Sequence, residues 1–261
     1  MAAILEARAV NRNFGAVTAA ADINVAIERD TVVGLIGSNG AGKTTFLNMV
    51  TGYLKPTSGS IHFENREITA LDPRRITRLG ICRSFQIPQL FDTLSVYDNL
   101  LVGVGIVASA GRRWAGGAAL GGTPDEAVAT MLQRFRLEPY RDRAAGLLPE
   151  GVRKLLDIAM AMVVRPRVLL LDEPTSGVSA DEKFELMDMV MDAVRAQSIT
   201  VLFVEHDMEI VKRYTHRVLA FAEGRIIADG EPAAVLDDAE VRRHVIGEAL
   251  QVSHGGTHAA G

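Results

Sequence analysis

Three shortages in the sequence each exclude a class of protein. Cys82 is the single cysteine, so no internal disulfide can form, and we interpret this residue as a small apolar core side chain in a reducing compartment. The formal net charge is only −4, which provides no overall basic field for binding nucleic acid. The longest weakly polar stretch, 100–110, is too short to span a bilayer. Residues 1–8 acquire charge before any long apolar region develops, so we also expect no secretory signal. We therefore expect a soluble protein whose role at a membrane, if it has one, is peripheral.

The composition is that of a globular protein with a sizeable core. Apolar residues make up 48% of a chain of 261 residues, which argues against disorder. As a prior, this length corresponds to one large domain or to one domain with a subdomain.

The most informative stretch has the order strand, glycine-rich loop, helix. Residues 32–36 form a short apolar run that predicts a buried parallel strand, and 37–44 fit the phosphate-loop pattern G-x-x-x-x-G-K-[ST]. Its glycines allow successive backbone N–H groups to face phosphate oxygens at a helix N-terminus. Lys43 supplies a positive charge for the β- and γ-phosphates, and Thr44 supplies a hydroxyl for Mg²⁺. The predicted nucleotide-binding residues of this loop are Ser38, Asn39, Gly40, Ala41, Gly42, Lys43, Thr44 and Thr45.

Two acids follow a second apolar strand. Asp172 and Glu173 come directly after the run 169–171, at the end of the strand where ligands bind in open parallel sheets. We expect Asp172 to hold Mg²⁺ through water, and Glu173 to orient and polarise the attacking water. An acid after an apolar strand is common in α/β proteins, so this interpretation depends on the phosphate loop.

Three further side chains are candidates for the same site. His206 follows the predicted strand 199–204, where its imidazole can hydrogen-bond the γ-phosphate and the catalytic carboxylate; the alternative is an ordinary surface histidine. Gln86 follows the predicted strand 81–85, where its amide can contact Mg²⁺ or the attacking water. The ring of Phe14, in a predicted turn, can stack on adenine, although packing is the commoner role for such a ring.

The order of elements predicts an α/β fold: a P-loop NTPase (RecA-like) core with an antiparallel β-subdomain and an inserted helical subdomain. The predicted ranges are 1–86 and 157–247 for the core with its β-subdomain, 87–156 for the helical subdomain, and 248–261 for a flexible tail.

Two local patterns occur within the predicted helical subdomain. Residues 103–122 are rich in glycine and have little periodicity, which predicts a mobile insertion. A helix is expected to begin near Pro124, because Thr123 is a good N-cap and Glu126 is at the capping-box position.

The segments 37–45, 169–177 and 204–207 resemble the Walker A, Walker B and switch-histidine segments of the nucleotide-binding subunits of ABC transporters. The resemblance extends over about 4–247. Residues 75–86 together with 90–96 are similar to the branched-chain amino acid class of importers, and specifically to the cassette usually called the G subunit.

The family signature LSGGQ is degenerate in this chain. It aligns with 148–152, where Pro149 replaces the serine and Glu150 replaces a glycine. Ser179 stands where the family usually has aspartate. In the family, the signature reaches the γ-phosphate held by the other cassette of a dimer. Because Pro149 lacks both hydroxyl and N–H, and Glu150 adds negative charge beside a polyanion, we hypothesise an asymmetric dimer with a different cassette.

The resemblance also implies cofactors, partners and a location. It implies ATP and Mg²⁺ as the ligands, and ATP hydrolysis coupled to the uptake of a small solute. The implied partners are a second cassette, two integral-membrane permeases and a periplasmic or extracellular solute-binding protein, with no nucleic acid. The implied location is the cytoplasmic face of the membrane. Branched-chain amino acids are the default solute of the class, and related cassettes serve urea, amides and aromatic acids.

Two alternatives remain open from the sequence. One is a soluble ATPase of the same superfamily, although the chain has no long heptad run between its Walker segments and carries only one set of them. The other is a regulatory subunit that binds ATP without hydrolysing it, which the degenerate signature suggests and which Glu173 and His206 argue against.

Overall fold

The computed structural model describes residues 3–109 and 123–246. Its strands are β1 (Ala3–Phe14), β2 (Val17–Glu28), β3 (Val32–Gly37), β4 (Ser58–Phe63), β5 (Arg66–Glu67), β6 (Ile81–Ser84), β7 (Val168–Asp172), β8 (Thr200–Val204), β9 (Arg217–Ala222) and β10 (Arg225–Gly230). Its α-helices are α1 (Lys43–Val50), α2 (Pro73–Leu79), α3 (Val96–Ser109), α4 (Pro124–Arg134), α5 (Glu150–Val163), α6 (Glu182–Arg195), α7 (Met208–Tyr214), α8 (Pro232–Asp237) and α9 (Ala239–Val241). Short 3₁₀-helices cover Glu138–Tyr140 and Ala145–Leu147, and a π-helical turn covers Arg242–Ile246.

The chain divides into two compact units. The first comprises Met1–Ile76 and Leu202–Gly261, and the second comprises Thr77–Val201. The predicted domain ranges place the divisions elsewhere and stay a prediction. The predicted tail, 248–261, and residues 110–122 of the predicted insertion lie outside the described residues.

The first unit contains an antiparallel sheet of four strands in the order β2-β1-β4-β5. In β2, side chains alternate between buried and exposed from Ile23 to Ile27, as expected for a strand with one face on the core. A two-residue turn at 15–16 joins β1 to β2, so Phe14 is the last residue of β1 rather than part of the turn.

The same unit contains the strand that leads into the phosphate loop. All residues of β3 are buried, which explains its continuous apolar sequence, and it pairs in parallel with β9. The rings of Phe46 on α1 and Phe221 on β9 are 5.9 Å apart between centroids and are tilted by 37°. This aromatic contact packs α1 against β9.

The second unit combines two parallel strands with four helices. β6 pairs with β7 in the register Ser84 to Leu171, and every residue of β7 is buried. The helix α4 begins at Pro124, and the side chains of Thr123 and Glu126 form the predicted capping box. This local prediction is confirmed to the residue.

The predicted glycine-rich insertion differs from the structure in its first part. Residues 103–109 continue α3 instead of forming an irregular segment. A glycine inside a helix costs only about 1 kcal/mol relative to alanine, and burial of Leu100 and Val104 on α3 offsets that cost.

No helix within 3–109 and 123–246 is both long enough and apolar enough to cross a bilayer.

Candidate functional site

The backbone of the phosphate loop is held in conformations that require glycine at both ends. Gly37 has φ = 153°, and a Cβ there would lie 2.5 Å from the carbonyl oxygen of Phe221. Gly42 has φ = 106°, and a Cβ there would lie 2.8 Å from the carbonyl oxygen of Ala19. Any larger residue would therefore move the loop. The N–H of Gly224 donates to the carbonyl of Ala41 at 3.0 Å, which fixes the middle of the loop.

The electrostatics at the start of α1 favour an anion. Gly42 is the N-cap and has no side chain to cap the helix, and the first turn contains no acidic residue. The first N–H groups of α1 thus retain their partial positive charge. Lys43 is 5% exposed, and its Nζ donates to the carbonyls of Gly37 at 2.5 Å and Ser38 at 2.9 Å. A polyphosphate fits this set of donors.

The predicted loop residues differ in exposure. Asn39, Gly40 and Thr44 are exposed, whereas Ser38 and Thr45 are partly exposed. The Thr44 hydroxyl, at the second position of α1, is therefore accessible to a ligand.

His206 lies in a short segment between β8 and α7. The backbone N–H of His206 donates to the carboxylate of buried Glu205 at 3.0 Å, while the side chain of His206 is exposed. Asp207 caps α7 by accepting hydrogen bonds from the N–H groups of Glu209 and Ile210. Carboxylates thus hold the backbone at His206 and directly after it.

Phe14 is half-exposed at the end of β1. The guanidinium of Arg12 lies 4.4 Å from the centroid of the Phe14 ring, so a cation covers one face of this aromatic.

Asp172, in the second unit, is paired with a buried arginine. Arg83 Nη2 lies 2.5 Å from Asp172 Oδ2, and the two side chains are 5% and 6% exposed. Arg83 on β6 pairs with Leu170 on β7, so Asp172, two residues further along β7, lies diagonally opposite Arg83 on the same face of the sheet. The guanidinium compensates the charge of a carboxylate that is otherwise removed from water.

The predicted catalytic carboxylate is held by the predicted glutamine. Gln86 Nε2 donates to Glu173 Oε2 at 2.8 Å, although the two residues are 87 positions apart in the sequence. Glu173 has φ = 50°, which is uncommon for a residue other than glycine and tends to occur at functional sites. The second unit therefore brings together Asp172, Glu173 and Gln86, as the sequence predicts.

The two departures from the family pattern are neighbours. Pro149 is the N-cap of α5 and provides no side-chain hydrogen bond. A Cβ at Gly151 would lie 3.7 Å from Val178, and one at Gly177 would lie 3.6 Å from Glu150. Ser179 Oγ donates to Glu182 Oε2 at 2.6 Å. A cavity of about 410 Å³ is lined by both segments, 149–152 and 177–179.

Three buried residues of the second unit were missed by the sequence analysis: Arg83, Lys154 and Asp157. Arg83 lies in the mostly buried strand β6, and Lys154 and Asp157 lie among the buried apolar residues of α5; this pattern is a signal because a buried charge requires a partner. Burial raises the pKa of the Asp157 carboxyl, and hydrogen bonds from Ser84, Gln89 and Phe85 oppose that rise.

The sequence and the fold match known proteins over most of their lengths. The family model described as "ABC transporter" matches residues 20–176. The chain is 34% identical to the high-affinity branched-chain amino acid transport ATP-binding protein BraF of Pseudomonas aeruginosa, over 94% of this chain and 98% of the relative. It is 33% identical to the corresponding protein LivG of Escherichia coli, with the same coverage.

The chain belongs to the ABC transporter family. A crystal structure of an ATP-binding cassette of an ABC transporter in its ADP conformation matches with a TM-score of 0.80 and 30% identity, covering 93% of this chain and 98% of that one. The prediction of an α/β P-loop NTPase cassette is confirmed. The predicted resemblance to the branched-chain amino acid class of ABC importers is confirmed by BraF and LivG.

Proposed function

We propose that this cassette is the ATP-hydrolysing subunit of an ABC importer for branched-chain or related amino acids. The observation that carries the proposal is the 2.8 Å hydrogen bond from Gln86 to Glu173, beside Asp172. It supplies an oriented carboxylate of the kind that ATP hydrolysis needs. The match to BraF and LivG over nearly the whole chain supports the transport role.

The first unit supplies the groups that bind the nucleotide. The loop Ser38–Thr45 binds the phosphates through backbone N–H groups and through the Lys43 ammonium. Phe14 stacks on the adenine with the ring face that Arg12 leaves uncovered. His206 contacts the γ-phosphate through its exposed imidazole.

Mg²⁺ would be held by the Thr44 hydroxyl, by the Gln86 amide oxygen and, through water, by the Asp172 carboxylate. Oxygen atoms of these kinds are the ligands that this ion prefers. When bound, it neutralises charge on the phosphates. Glu173 accepts a hydrogen bond from the attacking water. The water oxygen bonds to the γ-phosphorus, the bond from that phosphorus to the bridging oxygen of ADP breaks, and the water proton leaves towards Glu173.

The test compares Glu173→Gln with Glu185→Gln in the transporter complex purified through a tag on this chain. Losing the carboxylate should lower kcat by about 10²–10⁴ while ATP binding is retained. Glu185 is an exposed acid of the same unit and serves as the control. If Glu173→Gln hydrolysed ATP as fast as the parent, the cassette would instead be the regulatory, non-hydrolysing subunit.

The membrane partners are two permeases, supplied with solute by a periplasmic or extracellular binding protein, with the cassette on the cytoplasmic face. The candidates for this contact are the apolar residues Leu90, Phe91 and Tyr97, which follow Gln86 in the sequence. Phe91 is 49% exposed and Ile87 is 74% exposed, which suits a docking surface. The Tyr97 ring instead packs under the Arg141 guanidinium at 4.7 Å. Phe91→Glu should therefore abolish uptake while ATP hydrolysis continues, and unchanged uptake would contradict this contact.

The second cassette is a different chain rather than a second copy. Pro149 offers no side-chain donor at the start of α5, and Glu150 places a carboxylate there, so this signature is poorly suited to a γ-phosphate. A better signature from another cassette completes the site that this chain's phosphate loop begins. Cooperative hydrolysis by the purified chain alone, at the rate of the assembled transporter, would overturn the heterodimer.

A further inference from the structure

The helix α5 contains two buried charges one turn apart. Lys154 is 4% exposed and Asp157 is 6% exposed, and their separation of three residues places them on one face of the helix. The helix begins at Glu150, within the degenerate signature. Its buried charges contact two other segments of the second unit.

Asp157 closes the segment that contains Gln86. Its Oδ2 accepts hydrogen bonds from Ser84 Oγ at 2.6 Å and from the N–H of Phe85 at 3.2 Å, and its Oδ1 accepts one from the N–H of Gln89 at 2.9 Å. One carboxylate therefore ties together the two ends of an irregular loop, 85–89. The side chain of Gln86 projects from this loop to Glu173.

Lys154 contacts the backbone of Glu173. Its Nζ donates to the Glu173 carbonyl at 2.8 Å, and that residue has the uncommon φ of 50°. The N–H of Ser176 donates to the same carbonyl at 3.2 Å. A residue in a sparsely populated conformation persists only when its surroundings fix it, and these contacts do so.

We propose that Asp157 and Lys154, both on α5, are positioning residues for ATP hydrolysis. They fix the positions of Gln86 and Glu173 relative to each other. This inference rests on the proposed function. Asp157 orients Gln86 through the backbone on both sides of it, and Lys154 orients Glu173 through its carbonyl. The helix thus acts on its own chain's carboxylate, independently of the degenerate residues at its start.

The energetics favour a fixed loop. A carboxylate that is removed from water is costly unless its oxygens accept hydrogen bonds, and a network whose members are all satisfied is rigid. Here three donors converge on Asp157. Because the Asp157 carboxylate accepts hydrogen bonds from the N–H groups of both Phe85 and Gln89, its loss should free the loop.

The experiment measures hydrogen exchange of the full-length chain together with kinetics of the purified transporter complex. Asp157→Ala should increase amide exchange at Phe85 and Gln89 at least tenfold and lower kcat at least tenfold, with KM for ATP changed less than threefold. Asp157→Asn retains one acceptor oxygen and is nearly isosteric, so it should fold and give intermediate values for both quantities.

The control is Met162→Ala on the same helix. Met162 is fully buried, so its truncation lowers the melting temperature, but its thioether has no hydrogen-bond donor and cannot replace the role of Asp157. We expect parental exchange at Phe85 and Gln89 and a parental kcat. If Met162→Ala reproduced the effects of Asp157→Ala, the role would be merely structural and the proposal would be overturned.

Two further outcomes would overturn the proposal: parental exchange at both amides in Asp157→Ala, or increased exchange with an unchanged kcat. Absence of ATP hydrolysis by the parent complex would instead refute the proposed function. Exchange does not depend on ATP, so it reports on the contact between Asp157 and the loop in either case.

Discussion

Replacing Arg83 by methionine should destabilise the chain far more than the same change at an exposed arginine. Arg83 and Asp172 form an ion pair whose side chains are 5% and 6% exposed. Removing one partner leaves a buried, uncompensated charge, which costs about 3–5 kcal/mol. Arg83 also lies 5.0 Å from the Phe85 ring centroid, and loss of this cation–π contact adds about 0.5–1 kcal/mol.

The matched control is Arg136→Met. Arg136 pairs with Glu185 at 3.0 Å, but the two side chains are 70% and 63% exposed. Exposed pairs contribute at most about 1 kcal/mol because water and salt screen them. Methionine keeps most of the apolar length of arginine in both variants, so the comparison isolates the charge.

The assay is urea unfolding of the full-length chain without nucleotide. Arg83→Met should lower the free energy of unfolding by at least about 2 kcal/mol more than Arg136→Met does. In the double variant Arg83→Met/Asp172→Asn, part of the loss should be recovered, since the buried charge is gone. Equal losses in the two single variants, or no recovery in the double variant, would refute the reasoning.

Three further outcomes are expected from urea unfolding of matched variants. Gly105→Ala should stabilise the chain by about 0.5–1 kcal/mol, because nothing lies near a Cβ in that helical position. Gly59→Ala should destabilise the chain by more than about 1 kcal/mol, because Gly59 has φ = 85° and a Cβ would collide with a backbone carbonyl. Equal effects would contradict the helix over 103–109. Thr123→Ala should cost about 1 kcal/mol through loss of the capping box, with exposed Gln133→Ala on the same helix nearly neutral. Burial raises the pKa of Asp157 above its ordinary value of about 3.9, so the folded chain binds this proton more tightly than the unfolded chain. The free energy of unfolding of the parent, relative to that of Asp157→Asn, should therefore rise as the pH falls towards about 4. A difference in unfolding free energy that does not change with pH would contradict this.

Features set by neighbouring residues were predictable from the sequence. The phosphate loop and the N-terminus of α4 depend on glycines, a proline and a capping pair within a few positions of one another. The grouping of Asp172, Glu173 and Gln86 was also predicted, because acids and amides at the carboxyl ends of parallel strands meet at one edge of the sheet.

Features set by distant contacts were not predictable in the same way. The pairing of Arg83 with Asp172 depends on the register of two strands that are far apart in sequence. The helix over Gly103–Ser109 depends on tertiary burial that outweighs a weak local preference. The sequence indicated each feature in part. A charge in a buried strand requires a partner, and an apolar residue beside a glycine requires a surface to pack against.

The helix α5 carries the end of the degenerate signature at its start and two buried charged residues further along. Its N-cap, Pro149, and its first residue, Glu150, differ from the serine and glycine of the family signature. One turn further on, Lys154 and Asp157 keep buried contacts with Glu173 and with both sides of Gln86. A buried charge is costly unless it is paired or hydrogen-bonded, and both of these residues are hydrogen-bonded. These buried contacts therefore agree with the proposal that this chain hydrolyses ATP with its own carboxylate.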